Sequence, residues 1–491
     1  MNSQIIIIAI VVLYLFTTTL FGFYQSKHVR TSKEYTLTRL SPFIAATYLT
    51  GFTLGGVATY GVAGDTIKFG FTYLIWFPIS MALGWWVTGI LFAGPYFRKK
   101  GVTLPTLIGS LFSERTRLTS LASLLIYTIF VIIIEIYTLS MIIKSIFPAM
   151  DIGSAVIISL VACVGTVAFS GILGASLTNL IHSLTMVIAF GLVFFILKNA
   201  VGGWSGALDN ITDLYGSISA KQNIPIASWL SPLGLGWGVI GQIILAKTSR
   251  LGGINTVSNL AASCRNQKEA KISFWIAGFI SAIPPFLACS IGIFTAAYLG
   301  KALNEMPIYT AIGFAVSKFN PYIAGLFLAA ILAAVISTFS PLALSFSSIF
   351  VEDIFIRIFP DTSDKTQKFL HPASIIVISS LCAWYIVTHG IEHIMPFVFS
   401  TAFPCTIPNT IVILFGLRAQ KTSDIAAFLS ILLGVSISLI WGLILGDPFG
   451  IPNIYIAFFI PLIILSFDQL IIMLRSRFPR PYKTITRSQA D

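Results

Sequence analysis

Pro42–Gly64 reads PFIAATYLTGFTLGGVATYGVAG, a stretch without a single charge and with glycine at 51, 55, 56, 61 and 64. As a helix it is long enough to cross a hydrocarbon core of ~30 Å. Its glycines would let that helix unwind part-way, and unwound backbone at membrane depth is tolerated only where it is buried in protein or lines a site. The stretch therefore reads as a broken transmembrane helix, and the question is whether the rest of the chain supplies the fold that needs one.

It does. Of 491 residues 56% are apolar and 10% charged, against roughly a quarter charged in soluble domains. So few charges cannot keep the surface of a soluble fold of this size wet. Apolar runs of spanning length recur at 5–24, 42–64, 71–96, 118–147, 153–171, 175–201, 226–249, 272–299, 322–350, 372–388, 394–417, 425–445 and 452–474. The reading is an all-α integral membrane protein with thirteen transmembrane helices. Residues 5–24 have no Lys or Arg before them and no small-residue cleavage site after them, so they read as a retained extra helix rather than a signal peptide.

The net charge of +12 is a topology signal rather than a mark of nucleic-acid binding. With the amino terminus outside, the cytoplasmic segments collect Arg98, Lys99, Lys100, Arg115, Arg117, Arg250, Arg265, Lys268, Lys271, Arg418 and Lys421, and a basic cytoplasmic tail follows at 475–491. Lys68, Lys221 and Lys301 stay outside. This places the protein in the plasma (inner) membrane with its carboxyl end in the cytoplasm. Cys163, Cys264, Cys289, Cys382 and Cys405 form no CxxC pair and read as small packing residues.

A second glycine cluster, Gly234, Gly236, Gly238 and Gly241 after Pro232, lies in the span at 226–249. Small residues also serve close helix packing. Two clusters five helices apart, however, match the starts of two structural repeats in a transporter.

The sequence resembles the sodium:solute symporter family of bacterial proline, pantothenate and sugar carriers. Ser32, Glu34, Tyr35, Leu37 and Arg39 resemble the first cytoplasmic loop, and Gly174–His182 (GASLTNLIH) the start of a later helix. Gly241–Gln242 resembles a Gly-Gln of the proline-type carriers. Ala333–Phe355 (AAVISTFSPLALSFSSIFVEDIF) is the most specific piece, with a Ser-Thr pair, further hydroxyls, then Asp353 and Phe355. The resemblance implies a LeuT-like 5+5 inverted repeat in one transporter domain, with halves 42–203 and 226–417 and two further helices at 425–474. It also implies a sodium site made by carbonyls of Ala45, Tyr48 and Ala334 and hydroxyls of Ser337 and Thr338.

The residues agree with this chemistry. A hard cation wants several oxygen ligands, and uncharged ones let it go again. Ala334, Ser337 and Thr338 share one helix face at i, i+3, i+4, and unwinding near Gly51 would free the carbonyls of Ala45 and Tyr48. The plainer alternative is that both hydroxyls bond back to their own helix.

Glu135, inside VIIIEIYTLSM, is a carboxyl where an unpartnered charge costs several kcal/mol. It is a candidate for the substrate or coupling-proton site, or else a protonated carboxyl bonded to a neighbouring helix. Thr50, Thr53, Gly56, Asn179, Gly241 and Gln242 complete the candidates for substrate or coupling. Asn179 stands where relatives often carry Asp, and Thr47 and Val239 depart from the proline-type pattern, which argues against proline as the cargo. His182, where relatives carry an amide, reads as a packed, hydrogen-bonded histidine. His389-Gly-Ile-Glu392-His393 fits a metalloprotease pattern, but Gly390 and Pro396 oppose the stable helix that pattern needs. No phosphate-binding loop is present.

The function expected is sodium-coupled import of a small organic solute by alternating access, with sodium as coupling ion, no other cofactor and no enzymatic activity. A proton-coupled carrier of the same fold and a membrane sensor are the rivals. The bilayer, sodium and the solute are the partners expected; nothing points to nucleic acid or to an obligate protein partner.

Overall fold

The computed structural model describes residues 3–99, 103–147, 149–222, 225–305, 308–389, 398–419 and 422–477. Lys100, Lys421, Glu392, His393 and the tail from 478 onward lie outside the described residues. The principal helices are α1 (Ser3–Gln25), α2 (Pro42–Thr53), α3 (Val62–Phe69), α4 (Phe71–Thr88), α5 (Glu114–Ile146), α6 (Ile152–Val167), α7 (Gly171–Ala200), α8 (Gly236–Thr248), α9 (Gln267–Leu299), α10 (Pro321–Ser348), α11 (Asp364–His389), α12 (Phe403–Arg418), α13 (Asp424–Leu439) and α14 (Asn453–Arg477). Among the described residues there is no strand, only an isolated parallel bridge between Leu40 and Cys264.

Local chemistry sets the helix starts. Ser41, Ser113, Asn266, Asn320 and Ser423 each turn a side-chain oxygen onto a free amide at the start of a helix, and Pro42 and Pro321 stand just inside two of those starts. A capping side chain satisfies an otherwise orphaned donor, and proline at that position forfeits none.

Ten helices among the described residues are long and apolar enough to cross a membrane. That count does not confirm the thirteen expected spans, because three of the expected segments are not uninterrupted helices of that length, two of them at the glycine clusters where a break was expected. Segment 42–64 becomes α2 and α3, separated by Leu54–Gly56 and a π-helical turn at Val57–Gly61. Segment 226–249 is a single turn, Ile226–Trp229, then consecutive turns through Pro232 and Gly234, then α8. Segment 153–171 yields α6, whose 16 residues span about 24 Å. Between the expected spans that end at 201 and begin at 226 the chain carries a further helix at Gly203–Gln222.

α10 is the central post. Of its most apolar window 83% is buried, against 17% for α1 and α14, whose side chains face outward. It packs against α1, α2, α5, α6, α7 and α11. Gly325, Ala329, Ala330, Ala333, Ala334 and Ser337 are the small residues that let so many helices approach it. The break in the second span therefore falls against the most enclosed helix of the protein.

Candidate cation and solute site at the broken helix

α2 does not unwind at Gly51. It continues to Thr53 and ends at Leu54, whose φ of −102° and ψ of 30° leave the helical region. The carbonyls of Ala45 and Tyr48 thus lie inside a continuous helix, where each serves the amide four residues on. The sequence expectation that unwinding at Gly51 would free them is corrected: the carbonyls released are those of the last turn, and Ala45 and Tyr48 keep a second lone pair each for a further partner. Gly51, buried, carries one of them. Its carbonyl accepts from Leu54 N at 3.1 Å, Ser337 Oγ at 3.2 Å and Thr338 Oγ1 at 2.9 Å. Ser337 Oγ also reaches back to the Ala334 carbonyl at 2.9 Å. The Ser-Thr pair therefore binds both its own helix and the broken one.

Glycine at 51 serves approach rather than unwinding. A Cβ there would lie 2.8 Å from Asn179 Nδ2 and 3.1 Å from Ser337 Cβ. Asn179, fully buried on α7, donates to the Ser337 carbonyl at 3.1 Å, while its Oδ1 has no partner. Gly55 and Gly56 make the break itself. Gly56 N donates to Glu135 Oε2 at 3.3 Å, and a Cβ on Gly55 would fall 2.1 Å from Glu135 Oε1 and 2.9 Å from Thr338 Oγ1. A Cβ on Gly56 would meet Thr138 Cγ2 at 2.5 Å. Glu135, 2% exposed, thus caps backbone that the broken helix leaves free.

Ala334, Ser337, Thr338, Gly56, Glu135 and Asn179 are brought together at this break, and Thr50 and Thr53 stand on the last turn of α2. Thr53 Oγ1 donates to the Thr50 carbonyl at 3.2 Å, while the buried hydroxyls of Thr50 and Thr138 have no partner. Thr138 was missed in the sequence, although it sits one turn beyond Glu135 on the same face. Gly241 and Gln242 are not brought to this cluster by any hydrogen bond among the described residues. They are half-buried on α8, whose main neighbours are α4 and α14, and Tyr455 Oη donates to the Gly238 carbonyl there at 2.7 Å. His182 is fully buried; its Nδ1 pairs with the Tyr14 hydroxyl of α1 and its Nε2 has no partner. His389 is exposed at the end of α11, bonded to Thr388 and stacked on Tyr385.

At the other end of α10 a polar network ties the helices together. Arg117, only 4% exposed, pairs with Glu114 at 2.6 Å and Asp353 at 3.4 Å, and Thr106 donates to Asp353 at 2.7 Å. Ser32 and Ser347 flank His371, whose ring stacks on Tyr35. The first cytoplasmic loop and the end of the stretch to Phe355, two of the sequence pieces that carry the family resemblance, converge here.

A many-helix membrane protein with interrupted spans, and with hydroxyls and a buried carboxyl gathered at one break, belongs to the class of secondary transporters. The chain belongs to the sodium:solute symporter family, whose model matches residues 35–434; it is a sodium-coupled symporter of a small solute. It is similar to the sodium/proline symporter of Escherichia coli (strain K12), 26% identical over 362 residues, 70% of this chain and 69% of that one. The sodium/proline symporter of Haemophilus influenzae is 27% identical over 407 residues, covering 76% and 75%. Among solved structures, a Na+-coupled sialic acid symporter in a substrate-bound outward-open state aligns with a TM-score of 0.78 at 20% identity, over 95% of this chain and 98% of that one. A nucleobase-cation-symport-1 family transporter aligns at 0.57 and 14% identity, over 91% and 96%. These two likenesses are of fold.

Proposed function

We propose that this symporter imports a small organic solute by alternating access between halves 42–203 and 226–417, related as an inverted repeat, with the amino terminus outside and the basic tail in the cytoplasm. Sodium occupies the space between α2 and α10, held by oxygens of Ala45, Tyr48, Ala334, Ser337 and Thr338. The solute lies beside the breaks, near Thr50, Thr53, Gly56, Glu135, Gly241 and Gln242, with Asn179 contributing to coupling. The observation that carries this reading is the Gly51 carbonyl, on which Ser337 and Thr338 converge from another helix. An ion that recruits these oxygens joins α2 to α10, and any preference for one arrangement of the two helices becomes coupling.

Sodium chloride raises the melting temperature of the purified protein above that in choline chloride, and Ser337→Ala removes most of that difference. An undiminished sodium response in Ser337→Ala defeats the site. A proton-coupled carrier is the second reading, favoured by Glu135, a buried carboxyl at the break. It requires uptake driven by a pH gradient without sodium and abolished in Glu135→Gln.

A further inference from the structure

Lys247 and Arg250 lie at the C-terminal end of α8, each only 4% exposed. The sequence placed Arg250 among the cytoplasmic charges. The structure instead sets its Nη1 3.4 Å from the hydroxyl of Tyr127 on α5. Tyr127 is 13 residues, about 20 Å, from the start of α5, a helix about 50 Å long, so the guanidinium stands against the interior of that helix and not at its end.

No carboxylate among the described residues is paired with either cation. The ion pairs there belong to Arg117 and Arg357. What surrounds the two is aromatic: Lys247 Nζ is 4.7 Å from the Phe77 ring and 5.4 Å from Phe403, and Arg250 Cζ is 4.1 Å from Phe403. Aromatic faces attract cations but accept no ordinary hydrogen bond. Lysine has three donors and arginine five. Arg250 spends one on Tyr127, and its buried Nε has no partner. Two adjacent cations withdrawn from water, with donors unspent, repel one another, and an anion between them relieves the repulsion and takes up the donors.

The geometry points to an anion site in which Lys247, Arg250 and the Tyr127 hydroxyl take the carboxylate of the transported solute, making the cargo an organic acid or an amino acid. A carboxylate offers two oxygens that only accept, which matches a point ammonium beside a guanidinium edge. Phe77 and Phe403 wall the site and exclude water, so the charge contacts act at low dielectric. This inference rests on the symport reading, which supplies a solute to be held.

The test uses the purified full chain in sodium-containing buffer, titrated with lactate, glucuronate and proline and with the primary amide of each. At least one acid, but not its amide, raises the melting temperature. Lys247→Met weakens that acid's binding at least tenfold, and Lys247→Arg restores it. The shift caused by sodium without any solute persists in both variants. Three results overturn the assignment: no acid binds the wild type, an amide binds as well as its acid, or Lys247→Met binds the acid unchanged. A further arm replaces chloride with methanesulfonate in the absence of solute. Protection by chloride that competes with the acid marks a site for inorganic anions and also overturns it. Loss of the sodium shift in the wild type counts against the symport reading instead.

Discussion

Gly55→Ala tests whether the break in the second span is built against Glu135 and Thr338. The added methyl would fall 2.1 Å from Glu135 Oε1 and 2.9 Å from Thr338 Oγ1. Neither distance is tenable, so the carboxyl must retreat by about 1 Å, and overpacking of this kind costs about 1–3 kcal/mol. The bond from Gly56 N to Glu135, already 3.3 Å, is then lost, and an unsatisfied buried donor costs about 1–3 kcal/mol more. The sum is about 2–6 kcal/mol of stability. Displacing the Thr338 hydroxyl also spoils one sodium ligand; a loss of about 1.4 kcal/mol there is tenfold in apparent sodium affinity. Sodium titration of the melting temperature reads both effects, as a lower baseline and a midpoint moved to higher sodium. The double variant Gly55→Ala/Glu135→Ala removes the worse collision, so part of the stability returns and the two substitutions are non-additive. A Gly55→Ala protein with wild-type melting temperature and sodium midpoint refutes the close packing on which the site is built.

Asp353→Asn weakens the buried pair with Arg117 at the other end of α10, while Arg117 keeps Glu114; losing a hydrogen bond to a charged group costs about 1.5–3 kcal/mol. The expected outcome is a fall in melting temperature of the purified protein, and an unchanged value refutes a stabilising role for the pair. Gly70→Ala places a Cβ 2.2 Å from the Trp229 carbonyl at a φ of +66°. Backbone strain and the clash together cost more than about 2 kcal/mol, read as a clear fall in melting temperature. Asp151, outside the spans, caps α6, and hydrogen bonds from the Ser154 hydroxyl and amide hold its carboxyl below the usual carboxylate range. Its small stabilisation is therefore complete at neutral pH and fades as pH falls through the acid range; Asp151→Asn flattens that part of the stability profile.

What the sequence revealed and what it hid have physical reasons. The second span announced its break because Gly55 and Gly56 interrupt an otherwise apolar helix. It did not announce where unwinding begins, because Gly51 looks the same in sequence but exists to let α2 approach Asn179 and Ser337. Glu135 stood out as a carboxyl in an apolar run, whereas its neighbour Thr138 looked like any hydroxyl bonded to its own helix. Lys247 was passed over and Arg250 was read as a cytoplasmic charge for the opposite reason: a cation at the end of a span ordinarily marks the membrane surface, and only the fold shows both buried, with Arg250 against the interior of α5. Gly241 and Gln242 look like a motif, yet which neighbours α8 meets is a matter of packing and cannot be read from its own residues.

The hydrogen bonds at Gly51 also bear on how sodium does work. In the described arrangement the hydroxyls of Ser337 and Thr338, two of the oxygens that an ion would use, are already spent on the Gly51 carbonyl. Recruiting those oxygens costs two intramolecular hydrogen bonds, about 2 kcal/mol together. Carrying a two-state equilibrium from 1:99 to 99:1 needs a further differential of about 5.5 kcal/mol between the states. The ion must therefore gain more from its ligands in one arrangement of α2 and α10 than in the other. Asn179 is placed to set that difference, since its amide holds the Ser337 carbonyl while its Oδ1 remains unspent. Asn179→Asp supplies a charged oxygen at the same place: it should tighten apparent sodium binding at equilibrium and slow turnover, because the ion then leaves less readily. A variant with tighter sodium binding and undiminished transport rate would show that release of this ion is not what limits the cycle.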